Sequence, residues 1–134
     1  MPDPPSDITI SYGPTYNRNL KRLNLREATQ QKLDKAWNEI LTAVRENPDI
    51  PDPYFAGDPI PRNNREVYKL RVADPDHSRG AQKGLRLIYW WRRTERELVG
   101  LYLYPKSEKE DVTQREIDSA RSAFVSANPV TKRP

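Results

Sequence analysis

The chain has 134 residues, with 23 Lys and Arg against 19 Asp and Glu, 13 prolines, one histidine and no cysteine, a length that suits one domain built on a single core. The missing cysteines exclude disulfides and thiolate metal sites, which fits a reducing cytosol, and the lone His77 argues against a histidine-based metal cluster. With hydrophobic residues at 35% and charged ones at 31%, a core requires that the apolar positions be gathered into periodic segments.

They are gathered. Residues 1–7 are proline-rich and read as a flexible tail; they hold no basic region followed by an apolar run, so no secretion signal is expected. Ile8, Ile10 and Tyr12 alternate with Thr9 and Ser11, the period of a half-buried strand that ends at Gly13-Pro14. Thr15 is placed to cap a short helix carrying Tyr16, Leu20 and Leu23 on one stripe. The strongest periodicity follows: Leu33, Ala36, Trp37, Ile40, Leu41 and Val44 predict a helix that begins near Arg26 and stops before Pro48. From Pro48 to Pro61 five prolines and a glycine oppose regular structure, and residues 48–65 are expected to form a loop insertion.

In Val67 to Val72, Val67, Lys69 and Arg71 share one face while Tyr68, Leu70 and Val72 share the other. A polar loop from Asp74 to Gly84 leads into Leu85 to Trp91, where Leu85, Leu87, Tyr89 and Trp91 oppose Arg86, Ile88 and Trp90. Arg92 to Glu97 is a charged turn, and Leu98 to Tyr104 completes an antiparallel meander. That last segment is the longest apolar run and is far too short to cross a bilayer, so no membrane contact and a cytoplasmic location are expected. Glu108 to Asp111 reads as a solvated turn whose acids suit the start of the next helix. Thr113 and Glu116 form a capping box that opens a final helix with Ile117, Ala120 and Phe124 on one stripe, ended by Asn128-Pro129 before a tail over residues 128–134. The predicted fold is α+β: a single domain over residues 8–127, with two N-terminal helices and a C-terminal helix on one side of a mainly antiparallel four-stranded sheet.

The positive charge is local. Between Arg62 and Lys109 there are twelve Lys and Arg against six Asp and Glu, a balance of +6, while the whole chain is +4, so the remaining residues sum to −2. A local positive field steers a polyanion. Lys69, Arg71, Arg86 and Lys106 carry part of that charge on or beside the strands, although a cation on a strand face is often only solvated. Arg79, Lys83, Tyr89 and Lys109 are the candidate substrate contacts. Tyr89, Trp90, Trp91, Tyr102 and Tyr104 offer rings on which bases stack, and equally the bulk of a core. His77, in the polar loop, reads most simply as a surface residue.

The strand, two helices and three-stranded meander, with Tyr68-Lys69-Leu70-Arg71, Gly84-Leu85-Arg86-Leu87-Ile88-Tyr89 and Lys106-Ser107-Glu108-Lys109-Glu110-Asp111, resemble the RelE/ParE superfamily of bacterial type II toxins. The resemblance runs from Ile8 to Phe124 in element order and is densest from Glu66 to Ile117. It implies a basic toxin that a cognate antitoxin neutralises. RelE-like members are endoribonucleases that cut messenger RNA in the ribosomal A site with no metal or other cofactor, whereas ParE-like members inhibit DNA gyrase; a non-toxic binding relative of the fold is a third outcome. In the nuclease pattern Lys69 matches the first lysine, Arg71 stands where a second lysine is usual, Arg86 matches the arginine of Gly-x-Arg-x-x-Tyr, and Lys106 lies at or beside a further arginine. The pattern's C-terminal tyrosine is replaced near Thr113, which the capping box explains as a helix cap. Because a guanidinium keeps its proton, Lys69 is left as the expected proton acceptor, assisted by the repulsion of Arg71 and Arg86.

Overall fold

Alternating hydrophobicity in three adjacent strands sorts the two faces of the sheet, and the helices divide between them. The computed structural model describes residues 8–46, 57–60 and 66–127. In chain order the elements are β1 (Thr9–Tyr12), α1 (Pro14–Leu23), α2 (Glu27–Glu46), β2 (Asp58–Pro59), β3 (Val67–Val72), β4 (Leu85–Arg92), β5 (Glu97–Pro105) and α3 (Gln114–Ala127). Short 3₁₀ turns at Pro75–His77 and Ala81–Lys83 shape the β3–β4 connection. The three helices are joined to a five-stranded sheet in the order β1-β5-β4-β3-β2.

The sheet is therefore wider than the four strands expected. The extra strand, β2, lies in the proline-rich insertion and pairs Asp58 with Lys69 and Pro59 with Tyr68, an edge position that a proline tolerates because its missing N–H need not face a neighbour. The rest of that insertion, and the predicted tails at residues 1–7 and 128–134, lie outside the described residues. The sheet is also mixed: β1 runs parallel to β5, while the β2–β3, β3–β4 and β4–β5 pairs are antiparallel.

Nor do all helices share one side. On one face Leu33, Ala36, Trp37, Ile40 and Val44 of α2 and Tyr16 of α1 pack on Tyr68, Val72, Leu85, Leu87, Tyr89, Trp91, Leu98 and Leu103. On the other, Ile117, Ala120 and Phe124 of α3 pack on Val67, Ile88, Trp90, Val99, Leu101 and Tyr104. Two apolar stripes of opposite sheet parity need two covers. The predicted α2 face matches the buried set, with Leu41 half-buried beside it. The start of α1 differs: Pro14 occupies its first turn, where the absent N–H costs nothing, and no side chain caps it.

A bulge in β5 decides which residues face which way. Tyr89 pairs with Gly100 but Ile88 pairs with Tyr102, leaving Leu101 as the extra residue. The shift puts Leu103 into the α2-side core with Leu98 and turns Tyr104 to the α3 side.

The β3–β4 connection is docked on the N-terminus of α2. The Thr29 amide donates to Asp76 Oδ2 at 2.9 Å and the Thr29 hydroxyl to Asp74 Oδ1 at 2.8 Å, so a carboxylate 47 residues away takes one of the helix's orphan N–H groups. The Thr29 amide, and after it the Thr29 hydroxyl, hold the Asp76 carboxyl below its ordinary 3.8. A carboxyl depressed in the folded state stabilises the fold above its unfolded value and loses that contribution as pH falls through the folded one. The urea midpoint of the wild type is therefore expected to exceed that of Asp76→Asn at pH 6, with the gap closing as pH drops below 3.8. Parallel pH dependences in the two proteins would contradict this cap.

Candidate functional site

Register across β3, β4 and β5 places Arg71 opposite Arg86 and Arg86 opposite Tyr104; in the next row Lys69 faces Ile88 and Ile88 faces Tyr102. Lys69, Arg71, Arg86 and Tyr104 thus stand on one sheet face, the α3 side, on three neighbouring strands. The two candidate cations of β3 and the one of β4 are brought together as their alternation implied. Lys106 is not in this row. Its amide donates to Gly84 O at 2.9 Å and its side chain lines a separate cleft.

Arg71 is exposed, but Arg86 is only 4% exposed. Its Nη1 donates to Ala81 O at 3.0 Å and to Leu85 O at 3.2 Å, and its Nη2 donates to Gln82 O. Among the described residues no carboxylate forms an ion pair with it; backbone carbonyls hold it instead. Burial first, and then the repulsion of Arg71, lower its pKa, yet a guanidinium remains charged. These bonds occupy three of the five guanidinium N–H donors.

The turn that clamps Arg86 depends on Gly84. A Cβ there would lie 2.3 Å from Val72 O and 2.9 Å from Gly80 O, both backbone atoms that cannot move away cheaply. The glycine of Gly84-Leu85-Arg86 is therefore a packing requirement that brings the chain against β3 and presents Ala81 O and Gln82 O to the guanidinium.

Across the row, Tyr104 is 2% exposed and its hydroxyl donates to no acceptor among the described residues, although the Val112 backbone acts on it. Burial, followed by the negative charge of Asp111, pushes its pKa up to about 12 against the pull of Arg86. Tyr104 is accordingly a neutral phenol with an unspent proton. Lys69 Nζ lies 3.4 Å from Asp111 Oδ1, with Lys69 21% and Asp111 60% exposed. Asp111 Oδ1 also accepts the Val112 amide at 3.1 Å. Glu110 and Asp111 both act on Arg86 electrostatically. The segment read as a solvated turn is exposed at Glu108, Glu110 and Asp111, and three of its side chains also make ion pairs: Glu108 with Arg22 at 3.0 Å, Lys109 with Glu116, and Asp111 with Lys69.

The candidate substrate contacts divide. Arg79 and Lys83 line one open cleft of about 330 Å³ with Lys106 and Ser107, and Arg79 Nη1 donates to Ser107 Oγ at 3.2 Å. Among the described residues no carboxylate forms an ion pair with Arg79, Lys83 or Lys106, so three cations meet around this cleft with their charge unmatched. Lys109 is held by Glu116, a hydrogen bond that raises its pKa. Tyr89 must be removed from the set. It is fully buried on the α2 side, opposite to Arg86, and its ring stacks on Tyr68 at 5.3 Å. Trp91 lies in the same core, and Trp90 packs under α3 with Arg121 at 4.4 Å over its ring. His77 sits at the α2 N-terminus, its Nδ1 3.0 Å from Asp74 Oδ2.

The sequence offered Tyr104 only as a stacking or core ring and Asp111 only as a turn acid, whereas the structure places both beside the Lys69, Arg71 and Arg86 cations. Neither is marked by its neighbours in the chain: one needs the β5 bulge and the other a contact between residues 42 apart. Among the described residues there is no group of three His, Cys, Asp or Glu that could hold a metal, and no helix long and apolar enough to cross a membrane.

No protein-family model matches the chain, and no curated protein matches it. Among solved structures, the chain is similar to a mutant of the E. coli toxin RelE in the free state, at 18% identity over 90% of this chain and 97% of that one, with a TM-score of 0.47.

Proposed function

We propose that this chain is a RelE-type toxin, a ribosome-dependent endoribonuclease that cuts messenger RNA without a metal and is held inactive by a cognate antitoxin. The observation that supports it is the cluster of Lys69, Arg71, Arg86 and Tyr104, in two neighbouring rows on one face of three adjacent strands. Attack of a ribose 2′-hydroxyl on the adjacent phosphate needs a proton acceptor, positive charge at the phosphorane and a proton donor to the leaving oxygen. Three cations from two strands supply the charge, and none of them is lost in an ion pair that a phosphate could not displace: Lys69 meets an exposed acid, and Arg86 meets carbonyls. The cleft of Arg79, Lys83 and Lys106 extends this positive surface and suits the neighbouring backbone of a nucleic acid. The antitoxin is then a small acidic protein encoded nearby, and the site of action is the cytoplasm.

Expression from a tight promoter is expected to stop translation, with cuts in messages falling in the codon that occupies the ribosomal A site. Growth arrest with intact messages would refute the nuclease reading. One observation favours a second reading: Arg86 is almost wholly buried and bonded to carbonyls, as a structural arginine would be. In that case the chain is a ParE-like gyrase inhibitor or a non-toxic binding relative. Supercoiling by purified gyrase in the presence of the protein separates these two, because only the inhibitor reduces it.

A further inference from the structure

The cationic face contains an acid that the charge pattern had not marked as part of it. Asp111 reaches across from the segment before α3 to meet Lys69, and its charge is felt at both Arg86 and Tyr104. Of the groups on this face, Arg71 and Arg86 keep their protons, and Tyr104 is a phenol with its proton in place. Lys69 has its Nζ 3.4 Å from the Asp111 carboxylate and carries N–H protons to donate. Only a carboxylate remains to accept a proton: Asp58 pairs opposite Lys69 in the β2–β3 register and Glu110 acts on Arg86, but of these acids it is Asp111 whose carboxylate touches Lys69.

We infer that Asp111 is the proton acceptor for the ribose 2′-hydroxyl and that Lys69 is its paired donor, an assignment that rests on the nuclease reading above. The 2′-hydroxyl proton passes to the Asp111 carboxylate as the 2′-oxygen bonds to phosphorus. The bond from phosphorus to the 5′-oxygen breaks, and that oxygen takes a proton from the Lys69 ammonium. Arg71 and Arg86 balance the charge of the phosphorane. The products are a 2′,3′-cyclic phosphate and a 5′-hydroxyl, with Asp111 as the acid and Lys69 as the amine. A proton returning from Asp111 to Lys69 across their contact restores both groups, which gives their adjacency a purpose beyond holding the segment in place.

The competing assignment makes Asp111 a plug that masks Lys69, and the two assignments predict opposite signs. Asp111→Asn keeps an oxygen for the Val112 amide, and at 60% exposure the substitution is not expected to disturb the fold. Purified protein is mixed with ribosomes whose A-site codon is normal, carries a 2′-deoxy nucleotide that cannot react, or carries sulfur in place of the bridging 5′-oxygen. For the base, Asp111→Asn lowers single-turnover cleavage about 100-fold or more, while affinity for the 2′-deoxy complex is kept or tightened, because a negative charge has left the cationic face. Asp111→Glu recovers part of the rate. The sulfur leaving group, which needs no proton, does not rescue Asp111→Asn. Cleavage by Asp111→Asn at the wild-type rate or faster overturns the assignment in favour of the plug. A parallel loss of affinity for the 2′-deoxy complex overturns it in favour of a binding role. A wild type that cleaves nothing overturns the nuclease reading itself.

Discussion

Arg86→Ala is expected to melt about 10 °C below the wild type, a loss of about 3 kcal/mol for a domain of this size. The buried guanidinium donates to Ala81 O, Leu85 O and Gln82 O, and alanine leaves all three without that donor. Each unsatisfied carbonyl costs about 1–3 kcal/mol if it stays buried, and relaxation of the Ala81–Lys83 turn into water recovers part of the total. Because Lys83 lies in that turn, the relaxation also disturbs the cleft of Arg79, Lys83 and Lys106. Lysine at position 86 carries the charge but not the fork, so it restores at most one or two of the bonds and about half of the stability. Differential scanning calorimetry of the two variants checks this. An unchanged melting temperature for Arg86→Ala alongside lost cleavage would show that the carbonyl contacts are incidental and that Arg86 serves the substrate alone.

What could be read beforehand follows from how each element is buried. The α2 helix was legible because one side faces the sheet, so Leu33, Ala36, Trp37, Ile40 and Val44 recur at the helical period. The three strands of the meander were legible for the same reason at period two, and that period had already grouped Tyr89 with Leu85, Leu87 and Trp91, away from Arg86. That alternation already implies the burial of Tyr89, which is at odds with a ring offered to substrate. Tyr104 is different, because strict alternation from Leu98 puts it on the α2 side and only the extra residue at Leu101 reverses this. The β2 pairing was hidden by prolines that are harmless at a sheet edge. The parallel pairing of β1 with β5 joins segments separated by most of the chain, and no local pattern encodes it. Asp111, Asp74 and Asp76 looked like solvated loop acids because their partners, Lys69 and Thr29, are 42 to 47 residues away.

Lys69→Ala is expected to lower cleavage by about 10²–10⁴-fold while leaving the melting temperature within a degree or two of the wild type. The small structural effect follows from the pair it breaks: Asp111 is 60% exposed, and a salt bridge in such a setting contributes about 0–1 kcal/mol. The large kinetic effect follows from losing positive charge beside the phosphorane and a proton for the leaving oxygen at once. Lys69→Arg separates these two losses. It keeps the charge but supplies no transferable proton, so if charge alone matters, arginine recovers most of the rate. If proton donation matters, arginine remains slow on the natural linkage and recovers on a substrate whose 5′-oxygen is replaced by sulfur. Single-turnover cleavage on programmed ribosomes reads all three rates. Lys69→Ala with unimpaired cleavage would overturn this role, because Arg71 and Arg86, the other two cations of the cluster, cannot supply the proton.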